Sequence, residues 1–226
     1  MVQMYNVSKT YLNGVKALND ISLKIDRGEF VFLMGQSGAG KSTLMKLLYR
    51  EELPTRGQIF IASRSIVRMK TREVPLLRRN IGVVFQDSKL LENKTVFENV
   101  AFAMHVVGAN RREIRERVEE ALGLVGLKDK RDCYPSQLSG GQQQRAGIAR
   151  AIVNRPLIVL ADEPTGNLDA DTSWGIMELL SEINKKGTTV IMATHAQDIV
   201  KRLGKRVIVL NEGRLVADSM PGESIA

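Results

Sequence analysis

The tightest constraint on this chain is an eight-residue string, Gly35-Gln36-Ser37-Gly38-Ala39-Gly40-Lys41-Ser42. It follows the apolar run Phe30-Val31-Phe32-Leu33-Met34 and precedes Leu44, Leu47 and Leu48, which repeat at helical spacing. A short apolar run closed by a glycine turn reads as a strand buried on both faces, as a parallel sheet requires. The G-x-x-x-x-G-K-S spacing then has a physical reason. Glycines let backbone N–H groups turn inward around phosphate oxygens, and the helix N-terminus adds the positive end of its dipole. Lys41 reaches terminal phosphates as a point charge, and the Ser42 hydroxyl can ligate a divalent cation. Gly35, Gln36, Ser37, Gly38, Ala39, Gly40, Lys41, Ser42 and Thr43 are therefore the phosphate-side candidates. The alternative, a glycine-rich turn matching by chance, is weakened by the strand before it and the helix after it.

Further short apolar runs at 81–85, 157–161, 189–193 and 206–210 read as buried strands, with helical patterns at 113–127, 140–154 and 170–185. Strands alternating with helices imply a mostly parallel sheet with crossover connections. Residues 88–156 carry little strand signal and read as an inserted helical subdomain, leaving 1–87 and 157–226 as an α/β core. The chain has 226 residues, enough for one domain with such an insertion. One cysteine, Cys133, excludes an internal disulfide framework and suits a reducing compartment. No run approaches the ~18–20 apolar residues of a membrane span, and no signal peptide is visible at Met1–Tyr5. The net charge is +8, concentrated at Arg64, Arg68, Lys70, Arg72, Arg78 and Arg79 against Glu73. That stretch lacks the interleaved aromatics that stack on bases, so nucleic acid is not the expected partner. It reads first as a solvated basic face, and second as a membrane-proximal or partner-facing surface.

The strand Ile158-Val159-Leu160-Ala161 ends in Asp162 and Glu163, delivering two carboxylates to the carboxyl edge of the sheet, where ligands of open α/β sheets bind. Successive strand side chains alternate, so the two acids suit two roles. Asp162 is the metal candidate, and Glu163 the group that polarises water. Together with the glycine string this pattern gives a P-loop NTPase. A third string, Leu138-Ser139-Gly140-Gly141-Gln142, opens a helix and offers a second anion site.

That third string resembles the signature of the ATP-binding-cassette (ABC) ATPases. The resemblance covers essentially the whole chain. It implies an α/β P-loop core with a mostly parallel sheet, an N-terminal antiparallel β part and an inserted helical subdomain. It also implies ATP and Mg²⁺ as nucleotide and cofactor. In that family two copies meet head to tail on ATP binding, so Ser139, Gly140, Gly141 and Gln142 would act on the other copy's nucleotide. Tyr11 matches the adenine-stacking aromatic. Gln86, after the strand 81–85, matches the glutamine that reaches Mg²⁺ and the attacking water, making Ser42, Gln86 and Asp162 the metal set. Asn167-Leu168-Asp169 matches the loop linking the two sites, and His195 the switch histidine. Lys41, Gln86, Glu163 and His195 form the expected catalytic set. Ala196 departs from the aspartate common after that histidine, with Asp198 two positions on; a local loop difference is expected. His105 and Cys133 read as structural.

The strings Asp162-Glu163-Pro164-Thr165-Gly166-Asn167-Leu168-Asp169 and Arg72-Glu73-Val74-Pro75 resemble the cell-division branch of the family. That resemblance implies an integral-membrane partner of the FtsX type, contacts with other division proteins and a place on the cytoplasmic face of the bacterial inner membrane, at the division site. It further implies conformational signalling to peptidoglycan hydrolases. The apolar stretch Leu90–Val107 is the candidate seat for a short helix of the partner. Three other readings compete. An exporter ATPase of the lipoprotein-release or macrolide/peptide type shares every motif. A soluble cassette acting on ribosomes or DNA usually carries two cassettes or a coiled-coil insertion, absent here. A nucleotide-gated scaffold would not need Glu163 and His195. No guanine-reading Asn-Lys-x-Asp loop supports a GTPase.

Overall fold

A computed structural model describes residues 1–220. Residues 221–226, included in the expected core, lie outside the described residues. In chain order the N-terminal elements are β1 (Val2–Thr10), β2 (Lys16–Ile25), β3 (Phe30–Met34), α1 (Lys41–Leu48), β4 (Arg56–Ile61), β5 (Arg64–Ser65) and α2 (Val74–Arg78). Then come β6 (Ile81–Val84), α3 (Val96–Val106), α4 (Arg111–Val125), α5 (Gly140–Ile152), β7 (Ile158–Asp162) and α6 (Ala170–Lys185). The last elements are β8 (Thr189–Ala193), α7 (Gln197–Leu203), β9 (Arg206–Asn211) and β10 (Arg214–Ser219). No helix among the described residues is long and apolar enough to cross a membrane.

The chain forms two compact units, one of Met1–Arg78 with the residues from Thr189 on, the other of Arg79–Thr188. The expected boundaries, 87/88 and 156/157, both fall inside the second unit, because β6 and β7 pair with each other there. Between 88 and 156 every element is helical.

In the first unit β3 pairs in parallel with both β8 and β9, while β10 runs antiparallel along β9. Phe30 to Leu33 and all of β8 are buried, which is why these strands are apolar without alternation. Burying one such side chain, Phe32 for instance, stabilises by roughly 1.5–3 kcal/mol. Arg206 locks the other end of this sheet. It is 8% exposed. Its Nε and Nη2 donate to the two carboxylate oxygens of Asp218, both at 2.8 Å, and its Nη1 donates to Glu29 Oε2 at 2.9 Å. The bonds to Asp218 push the guanidinium pKa up, so the fork stays charged.

The other sheet of this unit is antiparallel, in the order β2-β1-β4-β5. Its register shifts between Met4 and Val7. There Asn6 and Asp20 both adopt positive φ and are joined by Asn6 Nδ2 donating to Asp20 Oδ1 at 3.0 Å. The basic stretch becomes β5, a 3₁₀ turn at Thr71–Glu73, and α2. Part of its charge is occupied locally: Arg64 pairs with Glu73 at 3.3 Å, and Arg78 donates to the carbonyls of Tyr49 and Arg50.

In the second unit β6 and β7 run parallel and α3, α4 and α5 form a helical cluster. Gly82 allows α5 to close on β6, since a Cβ there would lie 2.4 Å from the Ala151 carbonyl oxygen. Helix α4 starts two residues before the expected 113 because Asn110 caps it, its side chain accepting from Glu113 N–H. It ends before Gly126, which takes the left-handed conformation at the C-terminus. His105 is exposed in the last turn of α3.

Replacing Arg206 by methionine keeps the stem but leaves Asp218 and Glu29 facing each other without the cation. We expect a loss of about 2 kcal/mol, a fall of roughly 4–8 °C in Tm for a chain of this size, measurable by thermal melting.

Candidate nucleotide site and signature segment

The phosphate-side residues are built on the end of β3. At Gly35 the φ is +148°, and an added Cβ would lie 2.3 Å from the carbonyl oxygen of Leu210. Gly40, at φ +104°, occupies the N-cap of α1 and supplies no side-chain cap. The first-turn N–H groups of α1 are therefore not satisfied by a capping side chain, which fits an anion there. The caps of α3, α4, α5 and α6 all use side chains: Thr95, Asn110, Ser139 and Asp169. Lys41 is 7% exposed and donates through Nζ to the carbonyls of Gly35 at 2.7 Å and Gln36 at 3.1 Å. The third N–H of its ammonium remains for another acceptor. Gln36, Ser37, Gly38 and Ala39 form the loop between, with Ala39 N–H bonded to the Gln36 carbonyl. Ser42 is exposed. Thr43 Oγ1 lies 3.2 Å from the Tyr11 hydroxyl, which brings the aromatic candidate to the first turn of α1. Lys9 Nζ sits 5.0 Å from the centroid of the Tyr11 ring.

His195 follows β8 at the same edge. It shares a hollow of about 470 Å³ with Gly35, Gln36, Gln197 and Lys201. Thr194 fixes the backbone on either side: its N–H donates to the Leu33 carbonyl, and its Oγ1 accepts from Ala196 N–H. Ala196 starts α7 without a side-chain cap, and Asp198 supplies an acid in the first turn instead.

In the second unit β7 carries Asp162 as its last residue, one position beyond the expected strand. Glu163 then leaves the strand with φ +48°. A non-glycine residue in that region costs of order 1–2 kcal/mol. The turn is closed by Gly166 N–H donating to the Glu163 carbonyl at 3.1 Å. Nothing local in the sequence indicates this strain. Gln86 stands beyond β6, the strand parallel to β7. Its Nε2 donates to Asn167 Oδ1 at 3.3 Å, while Asn167 Nδ2 donates to Asp87 Oδ1 at 3.3 Å. Asn167 therefore bridges the loop after β6 to the loop after β7.

Ser139 and Gln142 close on each other. Ser139 Oγ accepts from Gln142 N–H, and Gln142 Oε1 accepts from Ser139 N–H. Gly141 packs against α6, where a Cβ would meet Thr172 Cγ2 at 2.4 Å. Asp169 caps that same helix by accepting from Thr172 N–H at 2.9 Å. The bonds from Thr172 hold its carboxyl below the usual aspartate range. The signature glycines and Asp169 are thus neighbours through the first turn of α6. In the next turn Trp174 Nε1 donates to Glu178 at 2.7 Å. A groove of about 320 Å³ runs beside Gln86, Ser88, Lys89, Gly140, Gln144 and Leu168. Buried Asn99, within the apolar stretch of α3, was not a sequence candidate. Its side chain bonds Leu91 N–H and the carbonyls of Leu91, Lys94 and Thr95. The one signal was an amide amid apolar residues.

An ABC transporter family profile matches residues 18–166. A Bacillus subtilis protein named cell division ATP-binding protein FtsE is 57% identical over 223 residues, covering 99% of this chain and 98% of that one. The Escherichia coli K12 protein of the same name is 50% identical, covering 95% and 97%. Among solved structures, a dimeric ATP-binding cassette in a post-hydrolysis state with ADP and phosphate superposes with TM-score 0.89 at 37% identity. It covers 99% of this chain and 100% of that one. A Clostridium perfringens CbiO1, described as part of an ABC transporter complex, gives TM-score 0.91 at 34% identity, covering 97% and 88%.

Gly35→Ala forces a methyl into the Leu210 carbonyl. We expect a destabilisation of about 3 kcal/mol or failure to fold, measured by chemical denaturation, because the contact is backbone and has no side chain to yield.

Proposed function

The chain belongs to the ABC transporter family and, within it, to the cell-division ATP-binding proteins, and from that membership we propose that it powers a bacterial division complex. It is an ATPase. What carries the division reading is identity of 50–57% over nearly the full length of relatives bearing that name. The expected domain plan is retained as part of the proposal: an α/β core with residues 88–156 as the inserted helical part.

The proposed roles follow from what each residue offers. Lys41 and the backbone N–H groups of 36–43 bind the β- and γ-phosphates. Ser42, Asp162 and Gln86 serve Mg²⁺, directly or through water. Mg²⁺ keeps several waters and phosphate oxygens in its shell, so it asks few ligands of the protein. When bound, Mg²⁺ neutralises charge developing on the phosphate oxygens. Glu163 orients the attacking water and accepts its proton, His195 contacts the γ-phosphate, and Tyr11 stacks on adenine. Ser139, Gly140, Gly141 and Gln142 act on the nucleotide of a second copy, and Asp169 sits at the junction of the two.

The chain acts peripherally on the cytoplasmic face of the inner membrane, at the division site, with an integral-membrane partner of the FtsX type and further division proteins. ATP turnover then drives conformational signalling across the membrane to peptidoglycan hydrolases. The surface proposed for the partner is α3 and the groove beside it. Leu91, Phe102 and Val106 are 38%, 51% and 67% exposed, and the last two are one helical turn apart. A short apolar helix of the partner would cover them; alanine at all three should abolish complex formation.

Glu163→Gln should lower turnover by about 10²–10³-fold and trap an ATP-bound dimer, seen by size-exclusion chromatography with ATP. A monomer with undiminished turnover would refute the assignment. Lys41→Ala should weaken ATP binding roughly tenfold or more in direct titration. Partner identity is tested by holding the Glu163→Gln chain in its own host with ATP and identifying the captured membrane protein by mass spectrometry. A division protein with a large external domain is expected. A lipoprotein- or peptide-exporting permease would leave the catalytic roles standing and move the function to transport.

A further inference from the structure

The loop that begins at Gln86 turns sharply before α3, and Lys89 pays for the turn with φ +48°. A non-glycine residue stays there only when its surroundings hold it. The carbonyls of Ser88 and Lys89 both meet one side chain, Arg150 of α5. Its Nη2 donates to Ser88 O at 2.6 Å and its Nη1 to Lys89 O at 2.7 Å. Arg150 is half-buried, and its guanidinium meets backbone carbonyls. Burial alone lowers its pKa, yet a guanidinium remains charged. A half-buried cation needs compensating acceptors, and these two carbonyls supply them. Lysine is not equivalent, because its ammonium is a point charge and lacks the planar fork that meets two acceptors at once.

Other contacts fasten the same loop to the same helix. Gln144, 3% exposed, donates through Nε2 to the Phe85 carbonyl at 2.9 Å. Gly147 faces Ser88, where an added Cβ would be in ordinary van der Waals contact at 3.4 Å. Lys89 Nζ folds back to 4.3 Å from the centroid of the Phe85 ring, closing the loop on itself.

We propose that Arg150 is a positioning residue: by holding the backbone of Ser88 and Lys89 it sets the placement of Gln86 and joins that loop rigidly to the helix that starts at the signature segment. The proposal rests on the role given above to Gln86, although the hold itself is independent of it. A partner pressing on the groove beside Ser88 and Lys89 then moves α5 with the loop.

The test uses the full chain with Arg150→Lys and the more disruptive Arg150→Gln. Amide hydrogen exchange is read by mass spectrometry without nucleotide. We expect residues 87–91 to exchange roughly tenfold faster in both variants, with α4 and β7 unchanged. In turnover assays Arg150→Lys should lower kcat about tenfold and leave the KM for ATP within about twofold, as misplacement of a catalytic group does. Combined with Gln86→Ala, it should cost nothing beyond Gln86→Ala alone, because both act through one group. Unchanged exchange at 87–91 overturns the hold, whatever the chemistry of the site. Faster exchange spread through α4 and β7 shows a general fold defect and overturns it too. Rate losses that multiply in the double variant, or a Gln86→Ala chain with full turnover, overturn the route through Gln86. The exchange result then still decides the hold.

Discussion

The space between β3 and the end of β9 has no room for a single methyl group, and the first unit is arranged around that fact. Gly35 meets the Leu210 carbonyl so closely that the loop must leave β3 at a fixed depth. The parallel register of Leu33 with Ala193 and with Ile208 sets where that point lies. Lys41 then folds back over the loop rather than into solvent, and His195 emerges from the neighbouring strand at the same edge. At the opposite end the fork of Arg206 holds β9, β10 and the residue before β3 together. The edge that carries Lys41 and His195 is positioned by tight backbone contact, and the far edge is held by charge.

The parts of this architecture readable from sequence are those decided locally. Buried parallel strands show as unbroken apolar runs, and the glycine string records a contact that tolerates no side chain. Helices α4, α5 and α6 announce themselves by periodicity. The N-terminal antiparallel sheet is harder to read because Asn6 and Asp20 interrupt the alternation of β1 and β2 with a bulge. Helix α7 lacks the usual cap, so its start is silent in the sequence. Arg64 to Arg79 looks like one uniform basic face, yet Arg64 and Arg78 are committed to an acid and to backbone carbonyls.

At the site, residue types were legible and their mutual arrangement was not. Asn167 is about 80 residues from its partners Gln86 and Asp87, and no spacing rule links them. Glu163 illustrates the difference well. Alternation along a strand would send its side chain and that of Asp162 to opposite faces. The structure instead ends the strand at Asp162 and turns Glu163 into a left-handed conformation. Arg150 and Asn99 read as ordinary helical residues. Each instead satisfies backbone groups of a loop that has no regular structure of its own.

The capping of the signature helix has a chemical consequence. The Ser139 oxygen already accepts from Gln142 N–H, and the Gln142 amide oxygen is occupied by Ser139 N–H. A hydroxyl whose oxygen is so engaged still has its proton to give. One turn into the adjacent helix stands Trp174, the single tryptophan of the chain, hydrogen-bonded to Glu178. Its indole emission comes from the second turn of α6, five residues after Asp169. The protein therefore carries a built-in optical label on the helix that Asp169 caps, and rearrangement of that helix can be followed in real time without attaching a dye.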